Sequence, residues 1–387
     1  MNDIKKNVRL FTPGPTHVPE PVRQAISQAY IHHRSQEFEQ CYLDIQQRFK
    51  NLLGENTQTT ILTSSGSGAM EATVASFFNT GDEVVVIHAG KFGERWRDIC
   101  LNYSLKVKEF VCPWGEAINS HEVIEWVKEH KPRAVLMQAC ETSTGVFHPV
   151  YALGKLLKKI DTLLIVDAIT ALGIYPFSLE HDGIDVLIGG SQKALMCPPG
   201  LASVSLNEKA TSQLLKSSRS YYLSIQKELK AQKSGDTAYT PAVSLFFGLQ
   251  QALTMLLKEG MGSVHARHQF LQRVSRTYFK AHGFKLFNKD HDAALGLTAV
   301  LTTDDFDVAQ FLKQLKQEHN LWLAGGQGEL QGKLFRFAHM GYCYPNDMIE
   351  ALKNIDEYIK HQRHYNPEAI DEAVKELQRS SYENPHL

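Results

Sequence analysis

No stretch of this 387-residue chain approaches the ~18 uninterrupted apolar residues that a membrane-spanning helix needs. The first residues, MNDIKKNVRLF, contain no apolar signal core. Cysteine is sparse: Cys41, Cys100, Cys112, Cys140, Cys197 and Cys343 are scattered through apolar stretches and form no CxxC pair. No histidine and cysteine spacing matches a zinc site, so no metal is expected, and the thiols read as buried and reduced. Neither sign of charge is in excess: 41 Lys and Arg stand against 42 Asp and Glu, for a net charge of -1. That balance gives no basis for expecting nucleic acid or an anionic membrane as partner. There is no internal repeat and no low-complexity segment. The chain ends Asn-Pro-His-Leu, a poor match to a peroxisomal tripeptide because Pro385 stands where a small residue belongs. A cytoplasmic protein is expected.

What the chain does have, from about residue 59 to 206, is a regular alternation. Short β-rich apolar runs at 59–63, 83–88, 106–111, 134–139, 162–167, 185–190 and 201–206 are separated by helix-like segments at 69–79, 92–103, 120–130 and 151–160. In the third of these segments Val123, Trp126 and Val127 share one face and the charges lie elsewhere. Strand, helix, strand at this spacing predicts βαβ units and an α/β fold with a mostly parallel seven-stranded sheet. The shorter connections between the last strands allow some antiparallel pairing. Beyond about residue 245, long helices at 245–258 and 264–282 precede a second, smaller α/β unit with strands at 298–302 and 334–337. The expected division is an N-terminal segment 1–16, a large domain 17–255, a small domain 256–365 and a terminal helix or tail 366–387.

Two places carry chemistry. Val166-Asp167-Ala168 closes one strand, and Gly190-Ser191-Gln192-Lys193 closes another. In α/β sheets the strand C-termini deliver side chains into the binding crevice. An aspartate and a lysine meeting there suit pyridoxal 5'-phosphate. The carboxylate keeps the pyridine nitrogen protonated, and the amine forms an imine with the aldehyde and later moves the proton. Alone, Asp167 is equally well a strand-end cap and Lys193 a solvated lysine; the pair carries the argument. The second place is Ser64-Ser65-Gly66-Ser67-Gly68-Ala69-Met70-Glu71, which follows a strand and opens a helix. Glycines there allow close backbone approach, and the helix N-terminus favours a phosphate, although many such turns only cap helices. The turn lacks the Lys-Ser/Thr ending of a nucleotide-binding P-loop.

Taken in order, Thr12-Pro-Gly-Pro-Thr16, the 64–71 turn, Glu141-Thr-Ser-Thr-Gly145, Asp167, Ser191-Gln-Lys-Ala194 with Pro198-Pro-Gly200, and Lys333-Leu-Phe-Arg336 resemble the class V aminotransferases of pyridoxal-phosphate fold type I. The likeness is greatest to the alanine–glyoxylate, serine–glyoxylate and serine–pyruvate branch, whose members also carry stretches similar to 91–96 and 325–330. The resemblance spans about residues 9–360. It implies Lys193 as the Schiff-base lysine and Asp167 as partner of the pyridine nitrogen. It places Phe92 on the cofactor ring, Thr142 near the ring oxygen, and Gly66, Ser67, Gly68 and Gln192 at the phosphate. It gives the substrate α-carboxylate to Arg336, where a planar guanidinium suits bidentate binding, and puts Gly14 near the substrate. It further implies a homodimer with shared sites, Thr240 reaching the neighbour's cofactor phosphate; Phe247 stands where a relative has a tyrosine that serves the same purpose. His32-His33-Arg34 reads as a surface or interface loop.

The expected reaction is transfer of an amino group from alanine, serine or possibly aspartate to a 2-oxo acid such as glyoxylate or pyruvate. Two alternatives stand beside it. A lyase of the same fold, similar to cysteine desulfurases, fits poorly with Gln192 before the lysine and with Cys343 downstream of Arg336. A non-catalytic subunit retaining the fold fits poorly with the presence of Lys193, Asp167 and Arg336 together.

Overall fold

The fold was described from a computed structural model, which describes residues 8–28, 30–361 and 365–382. Residues 1–7 and 383–387, the subjects of the signal and tripeptide expectations, lie outside the described residues.

Seven strands form the main sheet: β1 (Gln58–Thr63), β2 (Glu83–His88), β3 (Lys106–Val111), β4 (Ala134–Gln138), β5 (Leu163–Asp167), β6 (Val186–Gly190) and β7 (Leu201–Leu206). Their spatial order is β1-β7-β6-β5-β4-β2-β3. Only β7 runs against the others, paired antiparallel with β1 and β6, so the sheet is mostly parallel as expected. Every residue of β4, β5, β6 and β7 is buried. That follows from helices covering both faces, which demands continuous apolar runs in place of alternation. The edge strand β3 reads KVKEFV and has Lys106, Lys108 and Val111 exposed; its charges discourage pairing with a further strand.

The flanking helices are α1 (Glu20–Ile26), α2 (Gln36–Leu53), α3 (Gly66–Phe77), α4 (Lys91–Asn102), α5 (Ser120–His130), α6 (Val150–Leu157) and α7 (Val243–Glu259). The first two had no counterpart in the sequence reading. The longer, α2, starts where the Ser35 side chain accepts from Phe38 N–H, stops at Gly54 with φ 113°, and buries Phe38, Tyr42, Ile45 and Phe49 along one face. Phe38 and Tyr42 pack on Phe246 of α7, ring centroids 5.2 and 5.4 Å apart.

A second sheet of four strands, β8 (Lys285–Leu286), β9 (Leu297–Leu301), β10 (Ala324–Gly325) and β11 (Leu334–Ala338), is antiparallel throughout in the order β8-β9-β11-β10. With α8 (Met261–Ala281), α9 (Val308–His319), α10 (Pro345–Ile359) and α11 (Pro367–Gln378) it encloses a core of Leu271, Phe279, Phe311, Phe335, Phe337 and Leu352. The polar end of the chain is therefore a helix: Asn366 caps α11, and Ala369, Ala373 and Leu377 enter this core at i, i+4 and i+8.

One connection places the N-terminal turn. Arg9–Leu10 pairs parallel with Leu321–Trp322. Phe11 C=O then accepts from Ala338 N–H, while Thr16 donates its N–H to Gln192 C=O (3.1 Å) and its hydroxyl to Lys193 C=O (2.8 Å). Residues 12–16 thus run from the small sheet to the ends of the large one.

Candidate active site

A cavity of about 390 Å³ lies at the C-terminal ends of the parallel strands, between the two sheets. The α/β topology puts it there: β1 ends at Thr63, β5 at Asp167 and β6 at Gly190, and the residues just beyond each strand turn into the crevice. Of the residues expected at the site, Gly14, Gly66, Ser67, Phe92, Thr142, Asp167, Gln192, Lys193 and Arg336 line this one cavity. Gly68 is a residue behind the wall, in the first turn of α3. Thr240 lies elsewhere, in a separate recess with Thr63, Tyr222 and Tyr239. His32 and His33 stack on each other at 4.5 Å, and Arg34 pairs with Asp236.

Lys193 Nζ donates to Pro13 C=O. Burial brings its pKa down to about 8, against the upward pull of Asp167. Asp167 is buried, and Oδ1 accepts from Ile169 N–H at 2.9 Å. Burial raises its pKa to about 6, with that N–H pulling the other way. Arg336, on β11 and only 5% exposed, gives Nε and Nη2 to Gly325 C=O (3.0 and 2.7 Å) and Nη1 to Thr142 C=O (3.0 Å). Burial lowers its pKa to about 10, yet it makes no ion pair among the described residues. A buried guanidinium held by carbonyls alone costs several kcal/mol of desolvation unless an anion joins it. With Glu141 the one carboxylate whose charge acts on it, the Arg336 guanidinium is open to an anion.

The phosphate-type turn has the properties its sequence requires. No side chain caps α3, so its leading N–H groups are left for a ligand. At Gly66 a Cβ would run into the Ile169 side chain. At Gly14, where φ is 122°, one would run into Lys193. Gln192 keeps a buried, unpartnered Oε1, and Phe92 and Ile169 add apolar surface. A planar ring bearing an aldehyde, a pyridine nitrogen and a phosphate fits this set of groups.

The cavity also contains residues the sequence reading assigned no role. Arg95 Nη1 donates to Ser67 Oγ at 3.0 Å, its guanidinium 4.8 Å from the centroid of the Phe92 ring. Thr170 Oγ1 lies 2.9 Å from Thr142 Oγ1. Cys140, its thiol pushed up by burial, and Gln327 also line it. The spacing of Phe92 and Arg95 on α4 was the available signal for Arg95, since positions i and i+3 share a face. A second cavity, about 280 Å³, lies among Leu53, Asp185, Asn207 and Lys209. Its buried carboxylate, Asp185, already accepts from Leu164 N–H, Asn207 and Lys209.

These features define a class, and comparison with known proteins names it. The sequence profile of the class-V aminotransferases matches residues 8–334, and the chain belongs to that family; it is an aminotransferase. It is 36% identical over 362 residues to the small subunit of a soluble hydrogenase from Synechococcus sp., covering 91% of this chain and 93% of that one. It is 30% identical over 341 residues to the L-aspartate–glyoxylate aminotransferase of Paracoccus denitrificans, covering 86% of each. Its fold superposes on alanine–glyoxylate aminotransferase from Nostoc sp. with a TM-score of 0.85 at 28% identity, covering 97% of both chains.

Proposed function

We propose that this aminotransferase works with pyridoxal 5'-phosphate, taking the amino group of a small amino acid (alanine or serine, possibly aspartate) and delivering it to glyoxylate or pyruvate. The observation that carries the reading is the convergence of Lys193, Asp167 and an unpaired, buried Arg336 on one cavity.

Lys193 would hold the cofactor through Nζ. Asp167 would face the pyridine nitrogen, Phe92 the ring, and Thr142 the ring oxygen. Gly66, Ser67, Gly68 and Gln192 would hold the phosphate. When bound, the cofactor supplies an electron-withdrawing ring that takes up the electrons of the substrate Cα–H bond. Arg336 grips the α-carboxylate with a planar fork, fixing the Cα–H bond relative to Lys193. Lys193 Nζ would take the α-proton as a general base and hold it for return to the substrate. A pKa of about 8 suits a base working near neutrality. Gly14 lets the backbone of the 12–16 turn come close to Lys193 and the substrate.

We place the protein as a homodimer in the cytoplasm. All six cysteines are buried and free, in keeping with a reducing compartment. No described helix is long and apolar enough to cross a membrane. The hydrogenase name of one relative supports no second reading, because that name offers no use for a lysine, an aspartate and an arginine gathered in one cavity. The desulfurase-like alternative loses the nucleophile the sequence offered, because Cys343 is buried in the core of the small sheet; Cys140, which does line the cavity, has its thiol pushed up by burial, away from the thiolate.

The test is an absorbance spectrum of the purified protein, then single additions of alanine, serine and aspartate with no keto acid present. The visible band of lysine-bound cofactor should decay to the near-ultraviolet band of its amine form, fastest with the true donor. A protein that takes up no pyridoxal phosphate, or a Lys193→Ala variant that still transaminates, would sink the proposal.

A further inference from the structure

The most complete hydrogen-bond arrangement beside the cavity surrounds a residue with no role so far. Glu141, three residues past the end of β4 and at the head of the turn that carries Thr142, is 0% exposed. Among the described residues its carboxylate takes no hydrogen bond from Lys or Arg. Instead Oε2 accepts from Phe92 N–H (3.1 Å) and Gly93 N–H (3.3 Å), and Oε1 accepts from Ser143 N–H (3.1 Å) and Ser143 O–H (2.5 Å). Phe92 and Gly93 are the second and third residues of α4. The residue before that helix, Gly90, has no side chain with which to cap it, so the cap comes from a strand end 49 positions away. Gly90 is small for the same reason: a Cβ there would sit 2.5 Å from Glu141 Cδ and 2.6 Å from Ser143 Oγ. Burial raises the carboxyl's pKa, and the hydrogen bonds from Ser143, Gly93 and Phe92 pull it the other way, toward the ionised form.

What α4 presents to the cavity is Phe92 and, one turn on, Arg95. What directly follows Glu141 is Thr142, whose carbonyl holds Arg336 Nη1. We infer that Glu141 is a positioning residue: by clamping the first turn of α4 to the Thr142 turn, it sets the Phe92 ring at the height the cofactor needs. This rests on the reading that pyridoxal phosphate occupies the cavity. The rival account is that Glu141 only caps a helix, contributing to stability and nothing else.

Reach separates the two. Glu141→Asp keeps the charge but is one methylene short, so it cannot serve α4 and Ser143 together. The measurement is the dissociation constant of pyridoxal phosphate for the apoprotein, followed by quenching of intrinsic fluorescence. It is made for the wild type, Glu141→Asp, Phe92→Ala and the double variant, with Tm recorded for each. Glu141→Asp should weaken cofactor binding roughly tenfold, the scale of a lost charge-assisted contact, and should also change the visible circular dichroism of the bound cofactor. In the Phe92→Ala background the same change should add almost nothing, because the residue it acts through is gone. Losses that multiply across the cycle, or a Glu141→Asp protein that only melts earlier while binding as the wild type does, would overturn the inference. Should Glu141→Asp not fold, Glu141→Gln runs the same cycle. Its Oε1 keeps both α4 N–H groups and its amide can donate to Ser143 Oγ, so a smaller loss, about threefold, should again vanish without Phe92. A wild type that does not bind pyridoxal phosphate overturns the cofactor reading itself, and the inference with it.

Discussion

Arg336 and Lys193 show most sharply how burial sets chemistry. The Arg336 guanidinium is desolvated and offered only carbonyl oxygens. Replacing it by lysine keeps a charge but loses the fork. Arg336→Lys should cost about 2 kcal/mol of carboxylate binding, roughly thirtyfold in KM for the amino donor, with cofactor absorbance unchanged. Steady-state kinetics beside a spectrum decides it, and an unaltered KM would remove Arg336 from the substrate site. Lys193 makes a pH prediction. Its pKa is lowered to about 8, so the neutral, nucleophilic amine is present above that pH and lost as pH falls through it. Association of pyridoxal phosphate with the apoprotein should therefore speed up toward about pH 8 and then level off. A rate still climbing to pH 10 would mean an ordinary solvated lysine. Asp167, Lys193 and Arg336 were legible in the sequence because each sits at a strand end or in a motif shared with relatives. Glu141, Arg95 and Gln327 lie in shared stretches too, but the stretch alone gave none of them a role. Their meaning comes from contacts among α4, the Thr142 turn and the 325–330 loop, which are far apart along the chain.

At the scale of elements, periodicity and strand composition located all seven strands of the main sheet to within a residue or so, since buried parallel strands demand unbroken apolar runs. Helix starts were less visible. The sequence reading begins α3 at residue 69, past two glycines of poor helix propensity, whereas the helix opens at Gly66. That early turn supplies the uncapped N–H groups at the cavity, so tertiary placement overrides local preference where function needs it. The two-residue strands at Arg9–Leu10 and Leu321–Trp322 escaped notice because so short a pairing leaves no pattern. The polar chain end reads by composition as helix or loose tail, and it is the alignment of Ala369, Ala373 and Leu377 that docks it. Removing residues 366–387 strips this apolar stripe from the core around Leu271 and Leu352. The truncated protein should melt lower by roughly 5 °C or more, with its cofactor spectrum intact. An unchanged Tm would show that α11 contributes nothing to the fold; loss of the spectrum would tie it to the site.

For the whole molecule, the open question is what covers the region of the 215–242 segment. Tyr221 is 79% exposed and Tyr222 46%, both packed on Tyr239, with Lys227 Nζ 3.7 Å from the centroid of the Tyr221 ring. Tyr222 and Tyr239 share a recess with Thr240, to which the family resemblance gives the neighbouring copy's phosphate. Exposed aromatic clusters of this kind are typical of the centre of protein interfaces. If a second copy covers them, cofactor affinity and assembly must be linked, because each cavity would borrow a hydroxyl across the interface. Sedimentation equilibrium should then find a dimer, and dilution toward monomer should release pyridoxal phosphate in parallel. Tyr221→Glu combined with Tyr222→Glu should shift the equilibrium to monomer and weaken cofactor binding together. Thr240→Val should weaken binding, by about 1 kcal/mol for one hydrogen bond, while leaving the dimer whole. A protein that sediments as a monomer and still holds its cofactor on dilution would confine the site to a single chain, and Gln192 with the α3 turn would then have to bind the phosphate alone.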